Sequence, residues 1–268
     1  MADQTVSQRE IALGAGVVRV IPLGPITLHA WSTGDAMNDQ AFLLETGSGL
    51  VAIEQPPFRA DVVLWRAYAQ GLSKPVTDVL ISSHPAGGRC FEGAKAHATA
   101  AAARAIAEGA TGALAANLGK AFGEPFDPAI VGIDAILEPG ACVIGGIEFV
   151  ILAAGDGFDI FIPAAGLAYT HMLGADCHSI LANQGHMDFF TAQLEALKAT
   201  GCAMVLSGHH DMEAPTAIDA KLAYVARARE LASSCAGAAS FKAAMREAFP
   251  GYAGENYLEM SAGLIYAA

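Results

Sequence analysis

The apolar residues of this chain fall into short runs, and the spacing within each run separates strands from helices. Val17–Leu23 and Ile26–Trp31 are short and rich in β-branched residues, with Gly24-Pro25 as a turn between them. Gln40–Glu45 and Leu50–Glu54 flank Thr46-Gly47-Ser48-Gly49, which predicts a hairpin. Arg59–Gln70 carries Val62, Val63, Trp65, Ala67 and Tyr68 at helical spacing. Thr77–Ser82 reads as an apolar strand that runs into a Gly- and Pro-rich loop, Ser83 to Gly88. Ala94–Glu108 is alanine-rich and predicts a helix. Ala141–Ile144 and Ile147–Leu152 pair around Gly145-Gly146, and Phe158–Ile162 with Gly166–Thr170 form a second strand pair. Met187–Ala199 turns helical, Cys202–Leu206 is a buried strand, and Thr216–Cys235 and Ser240–Ala248 are helices. The partly apolar tail Tyr257–Tyr266 is expected to pack back on the body. This order predicts one layered α/β domain over residues 1–268, with the C-terminal helices of 216–248 packed on it.

Composition narrows the classes. With 53% apolar and 16% charged residues over 268 positions, the chain is too apolar to be disordered. Its 15 Lys+Arg against 27 Asp+Glu give a net charge of −12, which argues against nucleic acid or an anionic membrane as partner. No apolar run is long enough for a membrane span. Met1–Thr5 has neither a basic nor an apolar signal region, so no signal peptide is expected. Five scattered cysteines without a C-x-x-C point to reduced thiols and a cytoplasmic protein. The low charged fraction predicts a homo-oligomer, part of whose surface a partner subunit covers.

The candidate chemistry lies in the histidines. Of the eight, His84, His171, His209 and His210 follow predicted strands or sit in the loops beyond them, and Asp156 is placed similarly after Leu152. Imidazole and carboxylate groups from separate strand ends can converge on one cleft and hold a metal. Taken alone, each has an ordinary reading. His84 can bond a loop carbonyl, Asp156 can be a turn residue between glycines, and His210 with Asp211 can be an exposed loop. His29 and His97 have no supporting context, and His186 with Asp188 reads as the approach to a helix. Cys90 lies beside Arg89, a neighbour that can activate a thiol. No phosphate-binding glycine motif or G-x-S-x-G elbow occurs.

The chain resembles the metallo-β-lactamase superfamily, over nearly its whole length. Asn38–Gly47 is similar to the family's opening hairpin, and Val51-Ala52-Ile53-Glu54 stands where the family has a strand ending in Asp. Thr77–Pro85 resembles the strand leading into the H-x-H-x-D-H motif. Gly166–His171 resembles the strand before the bridging carboxylate, and Val205–His209 the last strand with its Gly-His ligand. The resemblance implies a four-layer αββα sandwich. The motif itself is degenerate: Ser82, Ala86 and Gly87 stand where the family has His, Asp and His, and only His84 survives. Asp156 stands for the family's third-motif His, and His171 for its bridging Asp.

The resemblance therefore implies one divalent ion at most, zinc or another, or none. Its ligands would be His84, Asp156, His171 and His209, with His178, Ser82 and His210 as supporting or substrate-side residues. One expectation is a metal-dependent hydrolase of a small ester, thioester or related bond. The other is a non-catalytic descendant that has lost its metals, given Ser82, Ala86 and Gly87 in place of ligands, and that binds a small molecule or serves a structural role, because fold alone does not carry function.

Overall fold

The computed structural model describes residues 8–267. Met1–Thr5, whose composition bears on the signal-peptide expectation, lies outside them. The first sheet has eight strands in chain order: β1 (Arg9–Leu13), β2 (Gly16–Leu23), β3 (Ile26–Ser32), β4 (Gln40–Glu45), β5 (Leu50–Ile53), β6 (Val76–Leu80), β7 (Lys95–Thr99) and β8 (Ala135–Leu137). Neighbours are antiparallel as far as β5 and parallel from β5 to β8. The second sheet runs β13-β12-β11-β10-β9, built from β9 (Gly140–Ile144), β10 (Ile147–Ala154), β11 (Gly157–Ile162), β12 (Leu167–Thr170) and β13 (Met204–Ser207). Only its β12–β13 pair is parallel.

Period-two alternation builds the centre. Ile147, Phe149 and Ile151 on β10 face Phe42 and Leu44 on β4 through one continuous apolar layer between the sheets. Strand β4 is buried on both faces, because Ala41 and Leu43 point the other way, towards Val62 and Trp65 of α1 (Arg59–Gly71). There Trp31 and Trp65 stack with ring centroids 5.1 Å apart. The outer face of the second sheet is covered by α4 (Gln184–Ala199), α5 (Thr216–Ser234), α6 (Ala238–Ala248) and α7 (Glu255–Ile265). The layers are thus helix, sheet, sheet and helix, as the family resemblance implied.

Three local features bear on the sequence reading. Residues 95–99 of the alanine-rich stretch are strand β7, and only Ala100–Glu108 (α2) is helix. The slot beside β6 overrides alanine's helix propensity. Thr99 ends the strand and caps the helix, its hydroxyl accepting from Ala102 N at 3.2 Å. Helix α3 (Ala110–Phe122) follows, with no strong apolar period in its sequence. The apolar tail packs back on the body as α7, with Leu258 and Ala262 buried against α5 and α6.

Candidate metal centre

Strand order brings three histidines together. His84 lies beyond β6 of the first sheet. His171 directly follows β12, and His209 lies just beyond β13. Because β12 and β13 are parallel and pair Thr170 with Ser207, their C-terminal ends coincide, which sets His171 beside His209. The Nε2 atoms of His84, His171 and His209 are each 3.1 Å from the other two.

Hydrogen bonding cannot account for that triangle. A neutral imidazole nitrogen is either a donor or an acceptor, so at least one of the three contacts pairs like with like. One ion satisfies all three. Nitrogens this far apart can each lie about 2.0–2.1 Å from a common point, the zinc–imidazole distance. Three imidazoles with an open position are a donor set that catalytic zinc takes. Burial, with the positive potential of the neighbouring histidines, pushes His171 down to about 3 and His84 well below the usual imidazole range. Both stay neutral near pH 7, as ligands must.

The surroundings fix the rings. The Nδ1 of His209 lies 3.2 Å from the Met37 carbonyl oxygen and 3.2 Å from Asp39 Oδ1. Asp39 is buried and neither oxygen has a well-aligned hydrogen-bond partner, so its tie to His209 is mainly one of charge. Burial raises Asp39 to about 6, against the pull of His209. Burial also lowers His209, but Asp39, the Met37 carbonyl and Asp35 together more than offset this and the net shift is upward. Asn38, in the left-handed region, donates from Nδ2 to the His209 carbonyl at 2.7 Å. Gly208 is required by close approach: a Cβ there would sit 2.9 Å from His171 Cδ2 and 3.2 Å from His84 Cε1.

The His84 loop is gripped from both sides. Glu54, wholly buried and at φ +58°, accepts from the backbone N–H groups of Ser82, Ser83 and His84 at 3.2, 2.9 and 2.9 Å. It also accepts from the Tyr169 hydroxyl at 2.8 Å. Gln55 Nε2 donates to the carbonyls of Ala86 (2.8 Å) and Gly88 (2.7 Å). The sequence marked Glu54 only as the end of a strand. Its role was hidden because its partners lie about thirty and more than a hundred residues away.

The other expected site residues fall elsewhere. Asp156 is an exposed turn residue between β10 and β11 and does not join the triangle, although it lines the adjoining cleft. Among the described residues the cluster holds His84, His171 and His209 alone. The Ser82 hydroxyl is spent on β11, donating to the Phe158 carbonyl (2.7 Å) and accepting from its N–H (2.9 Å). His178 is buried away from the cleft, its Nδ1 3.1 Å from the Tyr224 hydroxyl. The ring of His210 packs over Gly174 and lines neither lobe of the cleft. His29 and His97 pair with Glu45 and Asp78. Burial pushes the Cys90 thiol up to about 12, and Arg89 is turned to Asp134, so the thiol is not activated. Gly87, where the family motif has its last histidine, has φ +94°, and a Cβ there would collide with the Pro56 carbonyl oxygen.

The cleft has two lobes that meet at Ser83, Thr111, Leu114 and His171. The larger, of about 390 Å³, runs past Asp156, Asp159 and Gln193. The smaller, of about 80 Å³, is walled by Met37, Ala115, Leu118 and Phe126 and holds His84 and His209. Helix α3, invisible in the sequence pattern, roofs both.

Two facing sheets between helix layers, with a histidine cluster at their strand ends, define the class as an αββα sandwich. Comparison with solved structures makes this specific: the chain has the metallo-β-lactamase fold. A metallo-β-lactamase family protein from Thermus thermophilus superposes with TM-score 0.62 at 16% identity, over 90% of this chain and 91% of that one. The stereoselective inverting sec-alkylsulfatase from a Pseudomonas species gives TM-score 0.62 at 16% identity, over 93% of this chain. That match spans 48% of the sulfatase, about half its length. No protein-family profile matches the sequence, and no curated protein does.

Proposed function

We propose that the protein is a hydrolase that works with one divalent ion, zinc in the first instance, on a small ester, thioester or related bond. The observation that carries this reading is the triangle of His84, His171 and His209 Nε2 atoms 3.1 Å apart. A divalent ion there supplies Lewis acidity, which polarises an ester carbonyl and acidifies water at neutral pH. The chain's own residues do the rest. Burial keeps His84 and His171 neutral, and Met37 and Asp39 draw the His209 Nδ1 proton so that its Nε2 lone pair faces its neighbours. Thr111 and Leu114 roof the junction of the two lobes and limit bulk water over the reacting bond. Ala86 and Gly87 offer no ligand, which is why the reading is limited to one ion.

The test is elemental analysis of untagged protein, with His84→Ala and His171→Ala alongside. About one equivalent of zinc or a similar ion in the wild type, lost in both variants, is expected, together with ester hydrolysis that a chelator stops and zinc restores. Full occupancy in both variants overturns the site. Tight metal without hydrolysis of any ester or thioester leaves the non-catalytic binding protein instead. The same reading takes the protein as a cytoplasmic homo-oligomer. It is supported by five unpaired cysteines and the low charged fraction, and sedimentation tests the oligomer.

A further inference from the structure

Neither lobe of the cleft is lined by a lysine or an arginine. The larger lobe instead holds two carboxylates, Asp156 at its exposed turn and Asp159 deep inside. Asp159 is 2% exposed and forms no ion pair among the described residues. Its two oxygens take two neutral donors, the Gln193 amide at 3.1 and 2.9 Å and the Thr170 hydroxyl beside it. Around it the walls are apolar, with Leu114, Phe158, Met172 and Phe190 in the lining. A carboxylate in such a place is costly without a counter-charge, and none of the described residues supplies one. A cleft lined by one sign of charge also concentrates ligands of the other sign. Aromatic walls add to the attraction for an alkylammonium group.

We propose that the larger lobe binds the cationic end of the substrate, so that the favoured substrate is a short-chain acyl ester of an amino alcohol with its ammonium group near Asp159. The ester lies at the junction beside His171, and the small acyl group enters the apolar lobe of Met37, Leu118 and Phe126. Water adds across the acyl C–O bond, giving the carboxylic acid, which releases its proton, and the free amino alcohol. A sulfate ester, the bond class in the name of one structural neighbour, keeps a negative charge that this cleft repels. The inference rests on the hydrolase reading above, but its binding half can be tested separately.

The probes are acetylcholine, its uncharged isostere 3,3-dimethylbutyl acetate, and anionic 2-sulfoethyl acetate. Hydrolysis of each by the zinc-loaded protein is followed by pH-stat at pH 8, above the value of about 7 to which burial pushes the Asp159 carboxyl. Binding of choline against 3,3-dimethylbutanol is measured by saturation-transfer NMR, which needs no turnover. The expected kcat/KM order is cation, neutral, anion, with at least about tenfold between the first and last. Asp159→Asn should bring the cation-to-neutral ratio to within about twofold. If that variant does not fold, Asp156→Asn at the exposed turn should still lower the ratio, by a smaller factor. Equal rates for the three esters, or preference for the anion, overturn the inference and leave the hydrolase reading standing. Choline preference that depends on Asp159, with none of the esters hydrolysed, supports the binding site and counts against the hydrolase.

Discussion

Two buried carboxylates on neighbouring walls of the molecule have opposite surroundings. Glu54 is enclosed by four donors, three backbone N–H groups and a tyrosine hydroxyl. Burial raises its affinity for a proton, and the four donors work against that rise. Asp159 has one amide and a neighbouring threonine, and burial carries it to about 7. Both are removed from water, and neither has a cation. The difference is what each charge is committed to. Glu54 is used up in holding the His84 loop, so its desolvation is offset within the chain. Asp159 is left under-compensated at the wall of a cavity, which is the mark of a group awaiting a ligand rather than one serving the fold.

Substitutions that break either arrangement should separate the two. Glu54→Ala should have the largest effect. It strands three buried N–H groups and the Tyr169 hydroxyl, and should cost at least about 3 kcal/mol by denaturant titration, with loss of bound metal. An unchanged midpoint would show that the loop stands without it. Asp39, a third buried carboxylate, is tied to a histidine ligand, so Asp39→Asn should weaken metal affinity by about 10–100-fold in a chelator competition. Unaltered affinity would assign Asp39 to the fold alone.

Asp159→Asn should act in the opposite direction on stability. The unfolded carboxyl ionises near 3.8 and the folded one near 7, so between those values the folded state keeps a proton the unfolded chain has lost. Wild-type stability therefore falls as pH rises through that window, and the asparagine, which does not titrate, gains up to about 4 kcal/mol over wild type at pH 8 and little at pH 4. A pH-independent difference would show that the Asp159 carboxyl ionises alike in the folded and unfolded chain. The smallest effect expected is for Ser82→Ala. It removes two hydrogen bonds to Phe158 and should cost about 1–2 kcal/mol with metal content unchanged. Loss of metal in that variant would make Ser82 part of the centre.

The same contrast explains what the sequence reveals. Short apolar runs disclose β2 to β6 and β9 to β13, because each strand's burial is written in its own residues. The three clustered histidines are visible as polar groups at strand ends. Strand β7 is not, since Lys95–Thr99 has weak strand character and is held by its slot between β6 and β8. Helix α3 is not, since its sequence is small residues with little period. Asp159 reads as a polar interruption of a strand, and only the fold brings Gln193 to it. Asp156 and His178 show the converse: strand-end position and family resemblance set them with the three histidines, while turn geometry leaves Asp156 on the wall of the cleft outside the triangle and the Tyr224 contact holds His178 apart.

The backbone at Gly87 also has a history to tell. Where the two-ion members of the family carry a histidine, this chain has a conformation that no side chain fits, facing the Pro56 carbonyl. A single substitution to histidine would not supply a ligand, because the loop between Pro85 and Gly88 would have to be redrawn first. The backbone here is thus closed to any side chain. An engineer who wants a ligand at this point of the cleft must replace the loop rather than a residue.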